Sequence, residues 1–383
     1  MRPNGGSTTD ATTASAASAT RVDPAFVAEA GRGCHIALDA TATSWHLGCE
    51  AVDPDEYSDD AVFPDVAIDF DQGARSSSAR LSVTNVGDDE CVKVAYVTVY
   101  ETKCVGRNGQ ELEQGVTIDN GGGRSNVTTF IALVPPNASL HLCRLKLKKG
   151  EDVRSVRIDN DVRPWSMHPE PNDTHARSVG FPLRGERFLC TQSEGGELTH
   201  FFSGNLHAVD FRCDVGTPVL AVGDGEVVEV NDSNTLTGIA VGNLFKWNSI
   251  VLKLDEEDSS SARAAGATSS TAGGAEESSI AGRYEVKGGD LYVEYVHVAH
   301  RSSRVKVGDR VTRGQVICSS GSVGFSPEPH LHFTAFRSSE AMANTVRVLF
   351  EPAYDRSGSA KYVPRAGEYY NENGPVVAAS ASK

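Results

Sequence analysis

Two histidines separated by a single residue, His330 and His332 in the stretch HLHF, are arranged in a way that suits chemistry. On a β-strand, residues two apart point to the same side, so both imidazoles would project into one space while Leu331 packs behind them. That geometry suits one metal ligand and one group that transfers a proton. Histidines with this spacing are also common as surface and packing residues, so the chemical interpretation needs partners elsewhere in the chain.

Two upstream residues are candidate partners of the histidine pair. Asp210 lies in the short apolar stretch HAVDF, where a carboxylate is costly to bury unless a metal ion or hydrogen-bond donors compensate it. His297 lies in EYVHV, which has the composition of a strand. The alternatives are that Asp210 caps a turn and that His297 is a half-exposed strand histidine bonded to a backbone carbonyl.

The elements that must position these residues have the patterns of β-strands. From about residue 60 to 165, short segments such as ARLSVTNVG and CVKVAYVTVYE alternate apolar and polar residues, which predicts a small β-sandwich. From 181 to 349, glycine-bounded strands such as TPVLAV and GEVVEV dominate, and six of the eleven histidines lie there. No periodic helix is long enough for an HExxH-type zinc site, so strands and loops must build any metal site.

Low-complexity segments interrupt this organisation. Residues 1–22 are rich in Ser, Thr, Ala and Gly and are predicted to be disordered, because they cannot bury enough apolar surface to offset the ordering entropy. A similar stretch, 255–282, is predicted to be an insertion at the tip of a hairpin between SIVLKL and DLYVEYVHV. Residues 370–383 are predicted to be a mobile tail.

Composition excludes several classes of partner. The 383 residues carry 36 Lys and Arg against 51 Asp and Glu, a net charge of -15, which argues against nucleic-acid binding and against a polybasic membrane anchor. No run approaches the roughly 20 apolar residues of a membrane-spanning helix, so no membrane span is expected. The N-terminus lacks the apolar stretch of a signal peptide. The oligomeric state cannot be deduced from these features.

Two segments resemble the lysostaphin/LytM-type zinc metallopeptidase family. Residues 199–230, THFFSGNLHAVDFRCDVGTPVLAVGDGEVVEV, are similar to the His…Asp motif and the following hairpin of that family. EYVHV and residues 305–333, VKVGDRVTRGQVICSSGSVGFSPEPHLHF, are similar to its second half. The resemblance covers about 150 residues and leaves the first 180 unexplained.

The resemblance implies a mainly β fold, a duplicated hybrid motif (barrel-sandwich hybrid) with Zn²⁺ on the floor of a groove, preceded here by the β-sandwich-like domain. The implied zinc ligands are His200, Asp210 and His332, and His297 and His330 line the groove as the catalytic pair. The commonest family form has a histidine four residues before the aspartate, where this chain has leucine. His207, three residues before it, is therefore the alternative to His200.

The implied reaction is hydrolysis of an amide in a peptide threaded through the groove, with peptidoglycan cross-bridges or stem peptides as substrate. The small residues of 321–324 would let a substrate backbone come close. The family also implies a secreted or extracytoplasmic location.

A catalytically silent scaffold that binds cell-wall peptide or activates another hydrolase is the alternative function. A carrier domain of lipoyl type is a third reading, but no lysine has the required setting. The sandwich would bind substrate, occlude the groove or dock a partner.

Overall fold

We describe the fold from a computed structural model, which describes residues 34–37, 66–71, 77–86, 92–106, 108–118, 123–164, 177–195, 199–200, 205–256, 290–338, 345–353 and 361–376. The described residues are almost entirely β, with short 3-10 helices at Val153–Ser155 and Val241–Asn243. The strands before residue 165 are β1 (Cys34–Ala37), β2 (Val66–Asp71), β3 (Ser78–Asn85), β4 (Lys93–Tyr100), β5 (Lys103–Val105), β6 (Gly115–Ile118), β7 (Arg124–Val134), β8 (Ser139–Lys146) and β9 (Ile158–Pro164).

The remaining strands run to the end of the described chain. They are β10 (Arg177–Val179), β11 (Phe188–Gln192), β12 (Val209–Arg212), β13 (Pro218–Leu220), β14 (Gly225–Asn231), β15 (Thr237–Gly238), β16 (Ser249–Leu254), β17 (Leu291–Val296), β18 (Arg310–Val311), β19 (Val316–Ser319), β20 (Gly324–Phe325), β21 (His330–Phe336), β22 (Val348–Phe350), β23 (Tyr369–Asn371) and β24 (Gly374–Pro375).

Two sheets form the sandwich of the N-terminal part. A four-stranded sheet has the order β2-β3-β8-β5, and a seven-stranded sheet has the order β20-β15-β6-β7-β4-β9 with β1 paired to β7. Alternate residues of β3, β4, β7 and β8 pack between them, among them Leu81, Val97, Phe130 and Leu145, each at most 2 % exposed. Period-two alternation therefore builds this core, as the sequence predicts.

A nine-stranded sheet dominates the C-terminal part, in the order β18-β14-β16-β17-β21-β12-β11-β23-β24. Its inner face packs a core that includes the fully buried Phe211, Tyr295, Leu331 and Phe333. The short pairs β13-β19 and β10-β22 lie beside it. The prediction of a mainly β chain, with a duplicated hybrid motif after a β-sandwich-like domain, is confirmed.

The hairpin that was predicted to carry the insertion is formed by β16 and β17. These strands pair antiparallel over their whole length, from Ser249 opposite Val296 to Leu254 opposite Leu291. The ladder therefore closes at the foot of the long connection without a change in register. The insertion itself, apart from residues 255 and 256, and the predicted disordered segment 1–22 lie outside the described residues.

The predicted mobile tail needs a correction for residues 370–375. Strand β23 pairs with β11 and strand β24 pairs with β23, so this segment forms the edge of the nine-stranded sheet. Tyr370 is 1 % exposed and its ring stacks on Tyr362 with a centroid distance of 5.2 Å. The buried ring of Tyr370 anchors the segment, although the mostly polar sequence around it is typical of a mobile tail.

Strands β15 and β20 lie within the predicted second domain but extend the sheet of the first. The boundaries 60–165 and 181–349 therefore stay a prediction, because one sheet crosses them. No helix among the described residues is long and apolar enough to cross a membrane.

Candidate active site

Neighbouring strands of the nine-stranded sheet bring the predicted site residues together. Asp210 of β12 lies directly opposite His332 of β21, and His332 lies opposite Val296 of β17, the residue before His297. Within β21, Leu331 and Phe333 point into the core, which leaves His330 and His332 on the other face. The alternation of HLHF therefore works as the sequence predicts.

His200, Asp210 and His332 form one compact cluster of possible metal ligands. His332 Nδ1 lies 2.9 Å from Asp210 Oδ1, His200 Nε2 lies 3.3 Å from the same oxygen, and the two nitrogens are 3.2 Å apart. All three side chains are buried, with 0 % exposure for His200, 5 % for Asp210 and 8 % for His332. Two imidazoles and one carboxylate thus converge on one point.

The triangle formed by these three atoms fits a tetrahedral metal ion. Bonds of 2.0–2.1 Å, the values for zinc with nitrogen and oxygen ligands, give a tetrahedron whose edges are about 3.3–3.4 Å long. The two sides that meet at His200 Nε2 are 3.2 and 3.3 Å, and only the hydrogen-bonded third side is shorter. The donor set and its spacing therefore suit Zn²⁺ with a fourth position left for another ligand.

The two candidates for the N-terminal histidine ligand lie in different places. The ring of His200 faces Asp210, and its Nδ1 is 3.0 Å from the carbonyl oxygen of Ser193, which fixes Nε2 toward the cluster. His207 is not part of the cluster with Asp210 and His332, and its Nδ1 lies 3.0 Å from the carbonyl oxygen of Thr345. A histidine that donates its second nitrogen to a carbonyl is the usual arrangement of a metal ligand.

The pKa values of Asp210 and His332 are shifted in the directions that favour binding of a cation. Burial alone would disfavour the charged form of Asp210, but the imidazoles of His200 and His330 outweigh it and hold the pKa of Asp210 well below its usual value. Burial also lowers the pKa of His332, against the opposing effect of Asp210. Metal binding requires an ionised carboxylate and neutral imidazole ligands, and the two shifts favour those forms of Asp210 and His332.

Gln192 is a site residue that the sequence analysis missed. Its Nε2 donates to Asp210 Oδ2 at 2.8 Å and to Thr199 Oγ1 at 3.0 Å, and its Oε1 accepts the Thr199 amide N–H at 2.9 Å. One side chain thus fixes both the carboxylate and the residue before His200. The only signal in the sequence was a glutamine at the end of the alternating strand FLCTQ. Its partner, Asp210, follows only from the pairing register of β11 and β12.

The predicted groove pair, His297 and His330, stands beside the cluster. Their ring centroids are 4.5 Å apart, and His330 Nε2 lies 3.7 Å from Asp210 Oδ1. His297 Nδ1 lies 2.7 Å from the carbonyl oxygen of Val323, and His330 Nδ1 lies 2.7 Å from that of Glu328. Each Nδ1 must carry a proton to donate there, so in the neutral ring Nε2 is the nitrogen with the lone pair that can accept one.

The backbone around His297 is unusual. His297 has φ +63°, a left-handed conformation that non-glycine residues rarely adopt and that is common at functional sites. Its carbonyl oxygen lies close to Gly321, where an added Cβ would be 2.8 Å from it. Burial and the adjacent His330 hold the pKa of His297 well below its usual value, so the ring is neutral and can act as a base.

The expectation for the small residues of 321–324 needs a correction at the two glycines, Gly321 and Gly324. A Cβ at Gly321 would collide with Ala299, and one at Gly324, which has φ +99°, would collide with the backbone of Trp247. The missing side chains let the chain pack on itself, so these positions do not indicate space for a substrate backbone.

Comparison with known proteins agrees with this geometry. The sequence profile of Peptidase family M23 matches residues 266–344, a stretch that contains His297, His330 and His332. The chain is 32 % identical over 136 residues, 36 % of its length, to "Glycyl-glycine endopeptidase ALE-1" of Staphylococcus capitis, and these cover 26 % of that protein. It is 28 % identical over 180 residues, 45 % of its length and 28 % of the relative's, to "Lysostaphin" of Staphylococcus staphylolyticus. The chain therefore spans about a quarter of the length of these relatives.

Among solved structures, the chain is similar to the catalytic domain of the antimicrobial peptidase lysostaphin from Staphylococcus simulans, with 24 % identity over 42 % of this chain and 87 % of that one. The TM-score of 0.25 is too low to support a conclusion. The similarity rests on the family profile and the curated relatives, together with the motifs around Asp210, His297 and the HLHF strand. Residues 266–344 thus match peptidase family M23, and the resemblance of this part of the chain to lysostaphin/LytM-type peptidases is confirmed.

Proposed function

We propose that this protein is a zinc-dependent endopeptidase that hydrolyses amide bonds in peptidoglycan cross-bridge or stem peptides. The observation that carries the proposal is the convergence of His200, Asp210 and His332 beside the His297–His330 pair. The substrate, a cell-wall polymer, also implies an extracytoplasmic site of action.

Each site residue has a role that its contacts support. His200 Nε2, Asp210 Oδ1 and His332 Nδ1 would hold Zn²⁺, and three protein ligands leave one position open. When bound, the metal lowers the pKa of a water molecule and polarises the scissile carbonyl. One histidine of the groove pair accepts the proton of the attacking water at Nε2. The other stabilises the oxyanion or protonates the leaving amine, and the geometry permits either division of roles.

The relatives suggest which bond to test first. The protein of Staphylococcus capitis is named a glycyl-glycine endopeptidase, so a Gly–Gly bond is the first candidate substrate for this chain. The negative net charge of -15 makes simple electrostatic adhesion to anionic wall polymers unfavourable. Recognition would then depend on the shape and polarity of the groove.

The test uses the full chain with its metal content measured. It is incubated with one peptidoglycan cross-linked through glycine bridges and with one cross-linked directly, and released amino groups and fragment masses are recorded. We expect cleavage that a chelator abolishes and added zinc restores. Saturable binding without cleavage by the zinc-loaded protein would support the scaffold function instead, and absence of metal binding would contradict both the ligand set and the enzyme.

The two histidine candidates can be separated by substitution. His200→Ala is expected to lower zinc affinity by more than the roughly 10- to 100-fold typical of an outer contact, because it removes a ligand. His207→Ala is expected to leave zinc affinity unchanged and to reduce stability by about 1–3 kcal/mol, since it removes the buried contacts of the ring with the Thr345 carbonyl and hydroxyl. Chelator competition and denaturant unfolding measure the two effects. Equal zinc affinity of both variants would contradict the assignment of His200.

Gln192 supplies a further prediction. Gln192→Leu removes the donor to Asp210 Oδ2 and the acceptor of the Thr199 N–H, so zinc affinity should fall about 10- to 100-fold. The matched control is Gln315→Leu, which also removes a side-chain acceptor of one backbone N–H, that of Thr312, but at an exposed position. Competition titration with a chromophoric chelator measures both. A Gln192→Leu protein with the affinity of the control would show that the carboxylate needs no such support.

A further inference from the structure

The segment 322–326 belongs structurally to both parts of the chain. It contains β20, whose Gly324 and Phe325 pair in parallel with Thr237 and Gly238 of β15. Thr237 is also paired with Ile118 of β6, in the N-terminal sheet. Strand β20 is therefore the edge strand of a sheet built mainly by the N-terminal domain, although it lies just before β21 in the chain.

The same segment orients both histidines of the groove pair. The carbonyl oxygen of Val323 accepts the Nδ1 proton of His297 at 2.7 Å. Ser326 Oγ lies 3.3 Å from His330 Nδ1 and donates to the Glu328 carbonyl that the same ring contacts. Ser322 Oγ in turn donates to Ser326 Oγ at 3.0 Å. A shift of this segment would therefore turn or release both rings.

Buried hydroxyl groups of the N-terminal sheet hold the strand that supports this segment. Thr117 Oγ1 donates to the Thr237 carbonyl at 3.2 Å, and the hydroxyl of Thr237 donates to the Ser322 carbonyl. Thr129 Oγ1 donates to the Ile239 carbonyl at 2.7 Å. Thr98 Oγ1 accepts the Val241 N–H at 2.9 Å and lies 2.8 Å from Thr129 Oγ1, to which it must donate. These hydroxyls pair with buried backbone groups of residues 237–241 and of Ser322, as buried backbone polar groups require.

Apolar packing completes this contact. One face of β4 and β7, which includes Tyr96 and Ile131, forms a buried cluster with Ile239 and Phe325. The rings of Tyr96 and Phe325 meet edge to face with centroids 6.1 Å apart. The approach is so close at Gly238 that an added Cβ would lie 2.4 Å from the Val116 carbonyl oxygen. A buried, hydrogen-bonded surface of this kind indicates a permanent contact and not a loose tether.

The metal ligands are supported from a different sheet. Asp210 and His332 lie on the central strands β12 and β21 of the nine-stranded sheet, and Gln192 on β11 fixes Asp210. The contact of His200 with Ser193 lies in the same region. None of these contacts passes through the N-terminal sheet.

We propose that the N-terminal sheet domain is a built-in positioning element of the active site, which orients His297 and His330 through the segment 322–326 while the nine-stranded sheet holds the metal ligands independently. This inference rests on the proposed peptidase function for its catalytic consequence. Its structural consequence can be measured without activity. The domain would then be required for turnover, and would not act as a removable inhibitor.

The test loosens the contact in the full chain. In Thr117→Val/Thr129→Val, the carbonyls of Thr237 and Ile239 lose their donors, and kcat should fall at least about 10-fold, since displacements near 1 Å cost up to about 100-fold. Zinc affinity and KM should stay within about 3-fold of the wild type. The side-chain N–H of His297 and the amide of Gly324 should exchange faster with solvent, as followed by NMR. The single variant Thr129→Ser, which keeps a hydroxyl at residue 129 and leaves Thr117 intact, should have a kcat close to that of the wild type.

The control is Thr128→Val on the same strand. Thr128 Oγ1 is buried with no hydrogen-bond partner among the described residues, and its neighbours Phe130 and Ala132 on the same face pack in the sandwich core. This variant should leave kcat and both exchange rates unchanged. The single variant Thr117→Val serves if the double variant does not fold.

Several results would overturn the inference. A rise in kcat would identify the domain as an inhibitor, and unchanged kcat with unchanged exchange would show that the contact does not orient the pair. A parallel fall of zinc affinity and kcat would show that the two sheets are not independent. If the wild type neither binds zinc nor cleaves peptidoglycan, the proposed function fails, but the exchange rates of His297 and Gly324 still decide the positioning role.

Discussion

Replacing Asp210 with asparagine is expected to abolish zinc binding at micromolar metal and, with it, peptide cleavage. Asp210 supplies the single negative charge of the ligand cluster, and its Oδ1 is the atom that both His200 and His332 approach. The surrounding imidazoles already hold its pKa well below the usual value, so the site is built around an ionised carboxylate. An amide lacks that charge, and a flip would present an N–H₂ donor to the cluster. The loss should exceed the roughly 10- to 100-fold effect of an outer contact.

Chelator competition and metal analysis of the purified Asp210→Asn protein measure this loss, and unfolding curves show whether the sheet remains intact. The matched control is Asp214→Asn, four residues further along, where the side chain is exposed and lies outside the cluster. We expect the control to bind zinc and cleave substrate as the wild type does. Zinc binding by Asp210→Asn with unchanged affinity would refute the ligand assignment.

Replacing His297 with alanine should separate catalysis from metal binding. The ring contacts Val323 and His330 and lies 6.2 Å from His332, measured between centroids, so it stands beside the ligands without joining them. Loss of a positioned proton-transfer group typically costs about 10²–10⁴-fold. We therefore expect kcat to fall by that factor while zinc affinity stays within a few-fold. A chelator titration in parallel with steady-state cleavage kinetics gives both quantities.

His300→Ala is the control for this substitution. His300 lies three residues away with its Nδ1 3.2 Å from the Asn234 carbonyl oxygen, and it is not part of the candidate site. It should leave kcat near that of the wild type. A His297→Ala protein with full activity would exclude this ring from proton transfer, and a comparison with His330→Ala would then assign the role to the other member of the pair.

The sequence was informative where a side chain's face follows from its position in a strand. HLHF specifies that His330 and His332 share one face, and HAVDF specifies an acid among residues that face a core. Because those two strands pair directly, Asp210 and His332 meet without any adjustment. The mainly β architecture follows from the same alternation.

The sequence was less informative where loops or distant pairings decide. Whether His200 or His207 faces Asp210 depends on the path of the chain between them, not on residue type. Gln192 reaches Asp210 only because β11 pairs with β12 with a shift in register. Likewise, both faces of β4 are buried, and the sequence alone could not reveal that the second face covers Ile239 and Phe325. These are properties of long-range pairing, which local patterns do not encode.

The β16–β17 hairpin has a practical consequence for experiments on this protein. At one end of the ladder Val296 lies opposite His332, and at the other end Leu254 pairs with Leu291. Five residues of strand separate the two ends, about 17 Å at 3.3–3.4 Å per residue. The foot of the ladder, at Leu254 and Leu291, therefore lies far from the candidate site, so the connection that starts there is the first place to test for a fluorescent reporter or affinity tag. Because closure cost grows only slowly with loop length, a longer connection should cost the hairpin little stability, and the tag would then report on binding of the proposed substrate.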